Sequence, residues 1–478
     1  MKLPSRLPKI IMNAIAISGG EVANKASTFL VYAAVSRAIG LESFGQFALG
    51  MTLLYTCHVF GVAGLPTTIT RMVAKRPAFA KSLLRLGYLA GFLASLLAAG
   101  FMVALAELMQ YQWVTTQVIM IMALAVPFYS LTMVTEAVIK GREKMHLIAL
   151  GNIPGNLQLV FGSWFLLWQG GSVLALAWNV VLARALTALC LHWLAMRSMP
   201  NERTHGPFRV SLAWRLIVRS RVFLWSDSVA AIGASLFPLI LSKFATEREV
   251  GMLNAAFQLL QPVQILYRSL GHSSFPALVN AAKQGREQVA ALSHSILSFI
   301  ICLAYPAALV MFVMAADFLT LVYGNKGFQE GAYVLQMLAF GLLCDPLNPI
   351  LGHGLWAVGA DRAVFRIVIV NIVVTLSFGL VLIGAWGLWG AAVCVLVGSV
   401  INTLLHYWVF TIRVGETNLG QEFLRLMPAI FFSAAVIVAA VWPPIINLSA
   451  ALAIYGLLVW LFYDQNSVGQ PSIRRIQP

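Results

Sequence analysis

The stretch that decides the fold runs from Ile10 to Gly40 and reads IIMNAIAISGGEVANKASTFLVYAAVSRAIG. It is apolar and long enough to cross a bilayer as a helix, since a span needs about 20 such residues. Its middle nevertheless carries Glu21 and Lys25, one helical turn apart. A charged side chain at that depth costs about 2.5–3.5 kcal/mol on insertion scales. This helix therefore needs partner helices, and its charged face is expected to line a polar path.

The rest of the chain is also apolar. Of 478 residues, 60% are hydrophobic and 10% are charged, with a mean hydropathy of +0.84. A soluble domain averages about 25% charged residues. Apolar runs between short connectors predict an all-α polytopic membrane protein with about 14 transmembrane helices. The last two spans are short and separated only by Pro443 and Pro444, so 13 spans is the alternative count.

Basic residues are distributed unequally between the two faces of the predicted bundle. With the N-terminus in the cytoplasm, 25 Lys and Arg residues lie on that side and four on the other, while Lys25, Arg184 and Arg268 lie inside spans. The positive-inside rule therefore places both termini in the cytoplasm. This distribution accounts for the net charge of +15 without a nucleic-acid partner.

Two halves of the chain resemble each other. At a shift of 206 residues, Glu21 pairs with Asp227 and Gly45 pairs with Gly251. The halves predict a six-helix lobe at residues 1–200, a cytoplasmic connector at 201–221, a second six-helix lobe at 222–415, and an extra helix pair with a cytoplasmic tail at 416–478. Six spans per half give parallel repeats, which are typical of transporters that hold their substrate at the repeat interface.

The inter-lobe connector contains a basic amphipathic segment, FRVSLAWRLIVRSR. An apolar face beside a row of arginines is typical of a helix that lies in the headgroup region of a membrane. We therefore predict an interfacial helix here.

The eighth span carries the clearest polar pattern. Five polar residues recur there at steps of four, three, seven and four: Asn254, Gln258, Gln261, Arg268 and His272. Such steps place them on one helical face. That face could form interhelical hydrogen bonds, but we favour a cavity wall. Arg268 is the strongest candidate for binding an anionic group, because its planar fork suits phosphate.

The other charged residues inside spans leave two interpretations open. Glu21 and Lys25 either form an ion pair that locks the first helix into its bundle, or line a cavity and contact substrate or a coupling cation. Asp227 favours the second interpretation, because it has no basic residue one turn further on. Arg184 in the sixth span either binds a ligand or pairs within the bundle.

Prolines predict discontinuities in two spans. Asp345–Pro346 and Asn348–Pro349 are expected to break the tenth span, and Pro238 is expected to kink the seventh. Such breaks are tolerated inside membranes where they line a cavity.

The opening of the chain resembles a known family. Residues 13–49, NAIAISGGEVANKASTFLVYAAVSRAIGLESFGQFAL, are similar to the start of bacterial polysaccharide (O-antigen-type) flippases. The likeness comprises the small and charged middle of the first helix and the pattern R-x-I-G-x-x-x-F-G-x-F that follows. Together with the repeated halves and the span count, it identifies the chain as a member of the multidrug/oligosaccharidyl-lipid/polysaccharide exporter superfamily.

The resemblance implies a flippase for undecaprenyl-diphosphate-linked oligosaccharide in the bacterial cytoplasmic (inner) membrane, serving O-antigen, capsule or exopolysaccharide synthesis. It implies alternating access between two lobes and no cofactor. Lys25, Arg184 and Arg268 would hold the diphosphate, while Glu21 and Asp227 would couple H⁺ or Na⁺. Membrane lipids, a polysaccharide polymerase and chain-length machinery are the candidate partners, and the last helix pair is a candidate site for the lipid tail.

Two other functions stay open. A multidrug/cation antiporter of the same superfamily would bind cationic drugs on its cavity acids. A membrane glycan polymerase or ligase would need sizeable outer loops, whereas connectors such as Ala38–Ser43 are very short. The sequence has no phosphate loop, nucleotide motif, nucleophile elbow or metal motif. It therefore predicts neither an enzyme nor an ATP-driven pump.

Overall fold

The computed structural model describes residues 7–199, 210–417, 419–439 and 444–462. Within these ranges the regular elements are helices, and no strand is present. The helices are α1 (Leu7–Val62), α2 (Leu65–Lys75), α3 (Ala80–Met109), α4 (Trp113–Ala123), α5 (Ala125–Gly141), α6 (His146–Trp168), α7 (Val173–Arg197), α8 (Val210–Phe244), α9 (Glu247–Ala282), α10 (Arg286–Val313), α11 (Ala315–Tyr323), α12 (Ala332–Gly341), α13 (Leu347–Ala357), α14 (Asp361–Arg413), α15 (Leu419–Ala439) and α16 (Pro444–Phe462). The prediction of an all-α fold is confirmed.

The described helices make the chain a multi-pass membrane protein. Six of them are long and apolar enough to cross a membrane, or eight if each of two bent helix pairs counts as one span. Large apolar side chains are widely exposed on them, including Trp168 at 83% and Leu97 at 75%. Such exposure suits contact with lipid. The predicted 14 spans fit the helical segments in order, but the length-and-hydropathy criterion does not confirm that number.

Two very long helices each turn back on a single glycine. α1 has non-helical backbone angles at Gly40 (φ 84°), and α14 has them at Gly387 (φ 54°). Positive φ strains residues with a Cβ atom, so glycine suits both positions. Each long helix is thus two helices in succession, with the breaks inside the predicted connectors Ala38–Ser43 and Gly384–Gly387.

Two of the three predicted proline discontinuities are present, whereas Asn348 and Pro349 lie inside the first turn of α13. α8 bends by 47° between Asp227–Gly233 and Ser235–Phe244, one turn before Pro238, which has no N–H to donate to the carbonyl four residues earlier. In the tenth predicted span, α12 ends at Gly341 and α13 begins at Leu347. The Asp345–Pro346 step lies in that gap.

The chain divides into two compact units: Met1–Gly251 with Tyr323–Gly327, and Met252–Val322 with Phe328–Pro478. A buried apolar cluster in the first unit joins six helices, with members Leu65, Ile69, Leu84, Val134, Ile148, Leu191 and Leu216. α8 therefore packs within the first unit. The predicted six-helix lobes divide the chain by sequence repeat, which is a different criterion, and their boundaries stay predictions.

The segment predicted to be an interfacial helix has another structure. From Val210 onward it forms the first turns of α8, and Ala213 and Leu216 are buried in the first unit's apolar cluster. Arg215 and Arg219 are exposed on the same helix. The segment is amphipathic because its apolar face packs against protein. The prediction of a separate interfacial helix is wrong for residues 210–221.

In the second unit, α10 packs against α12, α13, α15 and α16. Two tyrosines fix the C-terminal helix pair to it. The hydroxyl of Tyr305 is 2.8 Å from Ser433 Oγ, and the hydroxyl of Tyr455 donates to the Cys302 carbonyl at 3.1 Å. The two tyrosine rings lie 4.9 Å apart. The last two helices are therefore an integral part of this unit.

The glycines paired by the sequence repeat meet in space. A Cβ atom on Gly45 would collide with the Glu247 carbonyl oxygen, and one on Gly251 would lie 2.9 Å from the Leu41 carbonyl oxygen. Leu41 and Glu247 are themselves related by the 206-residue shift. The crossing is thus reciprocal, since each helix sets a backbone carbonyl against the glycine of the other. Gln46 Nε2 donates to the Glu247 carboxylate at 2.9 Å and holds it in place.

Gly45→Ala should destabilise the protein, because the new methyl group would collide with a backbone carbonyl that cannot swing away. Overpacking of this kind costs about 1–3 kcal/mol. The measurement is the thermal unfolding midpoint of the purified protein in detergent. Gly100→Ala on α3 is the matched control, since a Cβ atom added there would have no other atom within 4 Å; it should leave the midpoint unchanged or raise it. Equal midpoints for the two variants would contradict the close crossing.

Candidate functional site

Arg184 of α7 is the centre of a polar cluster inside the first unit. Its guanidinium carbon lies 4.7 Å from the ring centroid of Tyr129 on α5. The His58 ring lies 4.9 Å from the Tyr129 ring, and the Tyr55 ring lies 6.1 Å from it. Tyr55 and His58 both come from the second half of α1. We call these four residues the Arg184 cluster.

Several polar atoms of the cluster lack a partner in ordinary hydrogen-bond geometry. Arg184 Nε, His58 Nδ1 and the Tyr129 hydroxyl are buried and have no such partner in the described part of the chain, although Arg184 is close enough to the Tyr55 and Tyr129 hydroxyls to interact with both. No described carboxylate forms an ion pair with Arg184 either. An unsatisfied buried polar group costs about 1–3 kcal/mol. The arrangement is therefore suited to a ligand that brings negative charge and hydrogen-bond acceptors.

Lys25 lies close to this cluster. It interacts electrostatically with Tyr55, and Arg184 interacts with the same tyrosine. Beside Lys25, Asn24 Oδ1 accepts a hydrogen bond from Asn156 Nδ2 of α6 at 2.5 Å. Asn24 thus contacts the bundle, whereas Lys25 beside it is exposed. The structure brings two of the three predicted intramembrane cations, Lys25 and Arg184, toward the same tyrosine.

The structure places Glu21, Lys25 and Asp227 at exposed positions, and Glu21 and Lys25 are not paired with each other. Glu21 and Lys25 are both exposed and form no ion pair with each other in the described structure. Asp227 on α8 is also exposed, and no described residue donates a hydrogen bond to it. The interpretation of Glu21 and Lys25 as a mutually neutralised pair is not supported. A coupling role for Glu21 and Asp227 stays a prediction.

The predicted polar stripe of α9 is not uniform. Asn254 is buried and takes part in interactions of its own, whereas Gln258 and Gln261 are half-buried and Arg268 is exposed. His272 lies outside the described side chains. The stripe therefore changes from packed to open along the helix, and the cavity wall that we predicted would involve its second half.

Asp345 in the second unit was missed as a partner of Arg268. Its carboxylate accepts a hydrogen bond from Ser399 Oγ of α14, and Arg268 is near enough to interact with it electrostatically. Thr403 Oγ1 donates to the neighbouring Cys344 carbonyl at 3.2 Å. The break between α12 and α13 thus exposes backbone and carboxylate oxygens that α14 satisfies. The only signal in the sequence was the Asp345–Pro346 step.

Tyr55, His58 and Tyr129 were also missed. Each lies in an apolar run, and His58 reads as an isolated buried histidine. Their common position depends on how α1, α5 and α7 pack, which single-helix periodicity does not report. Among the described residues, no group of three His, Cys, Asp or Glu side chains is placed to hold a metal ion.

Comparison with known proteins gives the chain its family. Residues 10–282 match the family described as "Polysaccharide biosynthesis protein", which is more than half of the sequence. The chain belongs to this family. A "Probable low-salt glycan biosynthesis flippase Agl15" from Haloferax volcanii is 23% identical over 60% of the chain, an alignment that spans 59% of that relative. A "Putative O-antigen transporter" from Shigella flexneri is 20% identical over 79% of the chain and 92% of its own length.

The fold of this polysaccharide biosynthesis protein is also found among solved structures. "Lipid II flippase MurJ, inward closed conformation" superposes with a TM-score of 0.76, covering 95% of this chain and 99% of the other at 13% identity. At that identity the likeness concerns the fold.

Replacing Arg184 should have little effect on stability. In Arg184→Met the apolar stem is kept and the unsatisfied guanidinium is removed, so only the stacking on Tyr129, worth about 0.5–2 kcal/mol, is lost. The thermal midpoint without ligand should fall slightly or not at all. Glu136→Ala serves as the comparison, because Glu136 is buried, pairs with Lys140 at 3.1 Å and lies 3.5 Å from Asn152 Nδ2. A larger fall for Arg184→Met than for Glu136→Ala would make Arg184 a structural residue.

Proposed function

We propose that this protein is a flippase that moves undecaprenyl-diphosphate-linked oligosaccharide units across the bacterial cytoplasmic membrane for polysaccharide biosynthesis. The observation that carries the proposal is the Arg184 cluster, a cation with unsatisfied hydrogen-bonding atoms inside an apolar helix bundle. Family membership supports it, as do the names of relatives that are described as a glycan flippase and an O-antigen transporter.

The chemistry of a lipid diphosphate fits these residues. Charge-assisted hydrogen bonds from guanidinium to phosphate are short and strong, and they are stronger still where water is excluded. The Lys25 ammonium group supplies a second positive charge, which is compact and carried on a flexible side chain. Tyr129 holds the Arg184 guanidinium by its ring while its hydroxyl has hydrogen-bonding capacity to spare. We infer that Arg184 and Lys25 bind the diphosphate, and that neighbouring hydroxyl and amide groups contact sugars.

We propose different roles for the charged residues elsewhere. Arg268 interacts electrostatically with the Asp345 carboxylate, so it would bind the anionic substrate only when that interaction is weakened. Gln258 and Gln261, half-buried on the same helix, would contact sugar hydroxyls. Glu21 and Asp227 would bind the coupling H⁺ or Na⁺. The membrane potential would contribute about 2.3 kcal/mol per charge per 100 mV.

The same proposal covers topology and mechanism. The charge distribution supports cytoplasmic termini, and the sequence repeat supports two six-helix lobes that alternate access. The protein would carry no catalytic residue, and a polysaccharide polymerase would consume its product on the far side of the membrane. The C-terminal pair α15 and α16 is a candidate site for the lipid tail.

Arg184→Gln and Lys25→Gln should each impair glycan export in a deletion strain, because each removes a charge that the diphosphate needs. A lost charge-assisted hydrogen bond of about 1.5–3 kcal/mol corresponds to at least a tenfold loss of export rate. Surface polysaccharide is measured together with lipid-linked repeat units, which should accumulate complete on the cytoplasmic leaflet. Lys243→Gln is the control, since Lys243 is exposed and donates to the Met109 carbonyl, away from the cluster.

Three results would contradict the proposal. Normal export by the Arg184→Gln, Lys25→Gln double variant would remove the cluster from transport. Loss of drug efflux in the deletion strain, with glycan export intact, would favour the multidrug/cation antiporter. Accumulation of unpolymerised units on the outer leaflet would favour a polymerase.

A further inference from the structure

A long apolar groove lies in the first unit between α3 and the first half of α8. Its volume is about 530 Å³. Six of the side chains that line it are Phe60, Leu97, Phe101, Trp214, Ile217 and Leu224. Trp214 is 62% exposed, so the groove is open at this residue. No member of the Arg184 cluster lines it, because Tyr55 and His58 occupy another face of α1.

The length of the groove matches one lipid chain. Its lining residues on α8 extend from Val210 to Leu224, which is about 21 Å of helix at 1.5 Å per residue. Half of a bilayer's hydrocarbon core is about 15 Å. A groove of that length has room for a single acyl chain of one leaflet.

A positive charge lies beside the groove on α8, at Arg221, which follows the lining residues in helical spacing but does not itself line the groove. Trp214, Ile217, Arg221 and Leu224 follow one another at steps of three, four and three, so they share one face. Arg221 is exposed and thus interrupts an otherwise apolar stripe. Nearby, the Arg71 guanidinium of α2 lies 4.8 Å from the Phe223 ring centroid. An arginine with a long apolar stem in this position can reach a phosphate at the membrane surface.

We propose that this groove is a binding site for an anionic phospholipid. One acyl chain lies between α3 and α8 against Phe60 and Leu97, and the lipid phosphate contacts Arg221. The site is separate from the one proposed for the lipid-linked glycan. Bound lipid would fill the space between the two helices and join α8 to the rest of the first unit.

Photocrosslinking tests the site directly. The full-length protein is reconstituted in vesicles of equal parts phosphatidylcholine and phosphatidylglycerol, with a trace of phosphatidylglycerol that carries a diazirine in its acyl chain. Mass spectrometry should find the label on α3 near Leu97 and on α8 near Trp214. Arg221→Gln should lower labelling about fivefold, and Arg221→Lys should restore most of it.

A second variant tests the groove itself. Ala94 lines the groove, so Ala94→Trp should fill it and abolish labelling, whereas Leu96→Trp, at an exposed position that does not line it, should not. Thermal midpoints confirm that the variants are folded. Equal labelling by a phosphatidylcholine probe, or no effect of Arg221→Gln, would overturn the proposal in favour of ordinary lipid contact. Displacement of the probe by undecaprenyl phosphate, but not by unlabelled phosphatidylglycerol, would overturn it in favour of the substrate's tail.

Discussion

A guanidinium group inside an apolar helix bundle needs compensation, because it keeps its proton at any physiological pH and loses its hydration. Arg184 receives part of that compensation from the Tyr129 ring, in an interaction worth about 0.5–2 kcal/mol. No described carboxylate supplies the rest. The packing of α1, α5 and α7 thus leaves the positive charge of Arg184 without a compensating carboxylate among the described residues. A negatively charged group that enters the site would supply the missing compensation, which is why we propose that the site binds anions.

Much of the fold could be predicted because it follows from local chemistry. The break before Leu347 follows from Asp345–Pro346, since proline cannot continue a helix, and the turn at Gly40 lies in a short predicted connector whose glycine adopts a positive φ without strain. The intramembrane position of Arg184 could be read from its apolar flanks. Its ring partner could not, because Tyr129 is 55 positions away and meets it only through tertiary packing.

One prediction failed, and one of two open interpretations is not supported. A Glu–Lys pair one turn apart is worth only about 0.2–0.5 kcal/mol, and Glu21 and Lys25 form no ion pair with each other in the described structure. Likewise, an amphipathic pattern does not tell a membrane surface from a protein surface, so the segment after Val210 looked interfacial while it packs into the first unit. Periodicity reports which residues share a face, and tertiary packing decides what that face meets. Asp345 and Arg268 show the same limit of periodicity. They interact in the structure, but they lie on separate elements, so the pattern of one helix does not predict their contact.

The single-glycine turns have a practical consequence. At Gly40 and Gly387 one helix passes into the next with one non-helical residue between them. These turns have no flexible segment for a protease to cut or an antibody to bind. An inserted epitope tag would have to unwind helix on both sides. Selection and engineering alike are therefore expected to place variable segments elsewhere, and immune or enzymatic recognition of these turns has almost no polypeptide to act on.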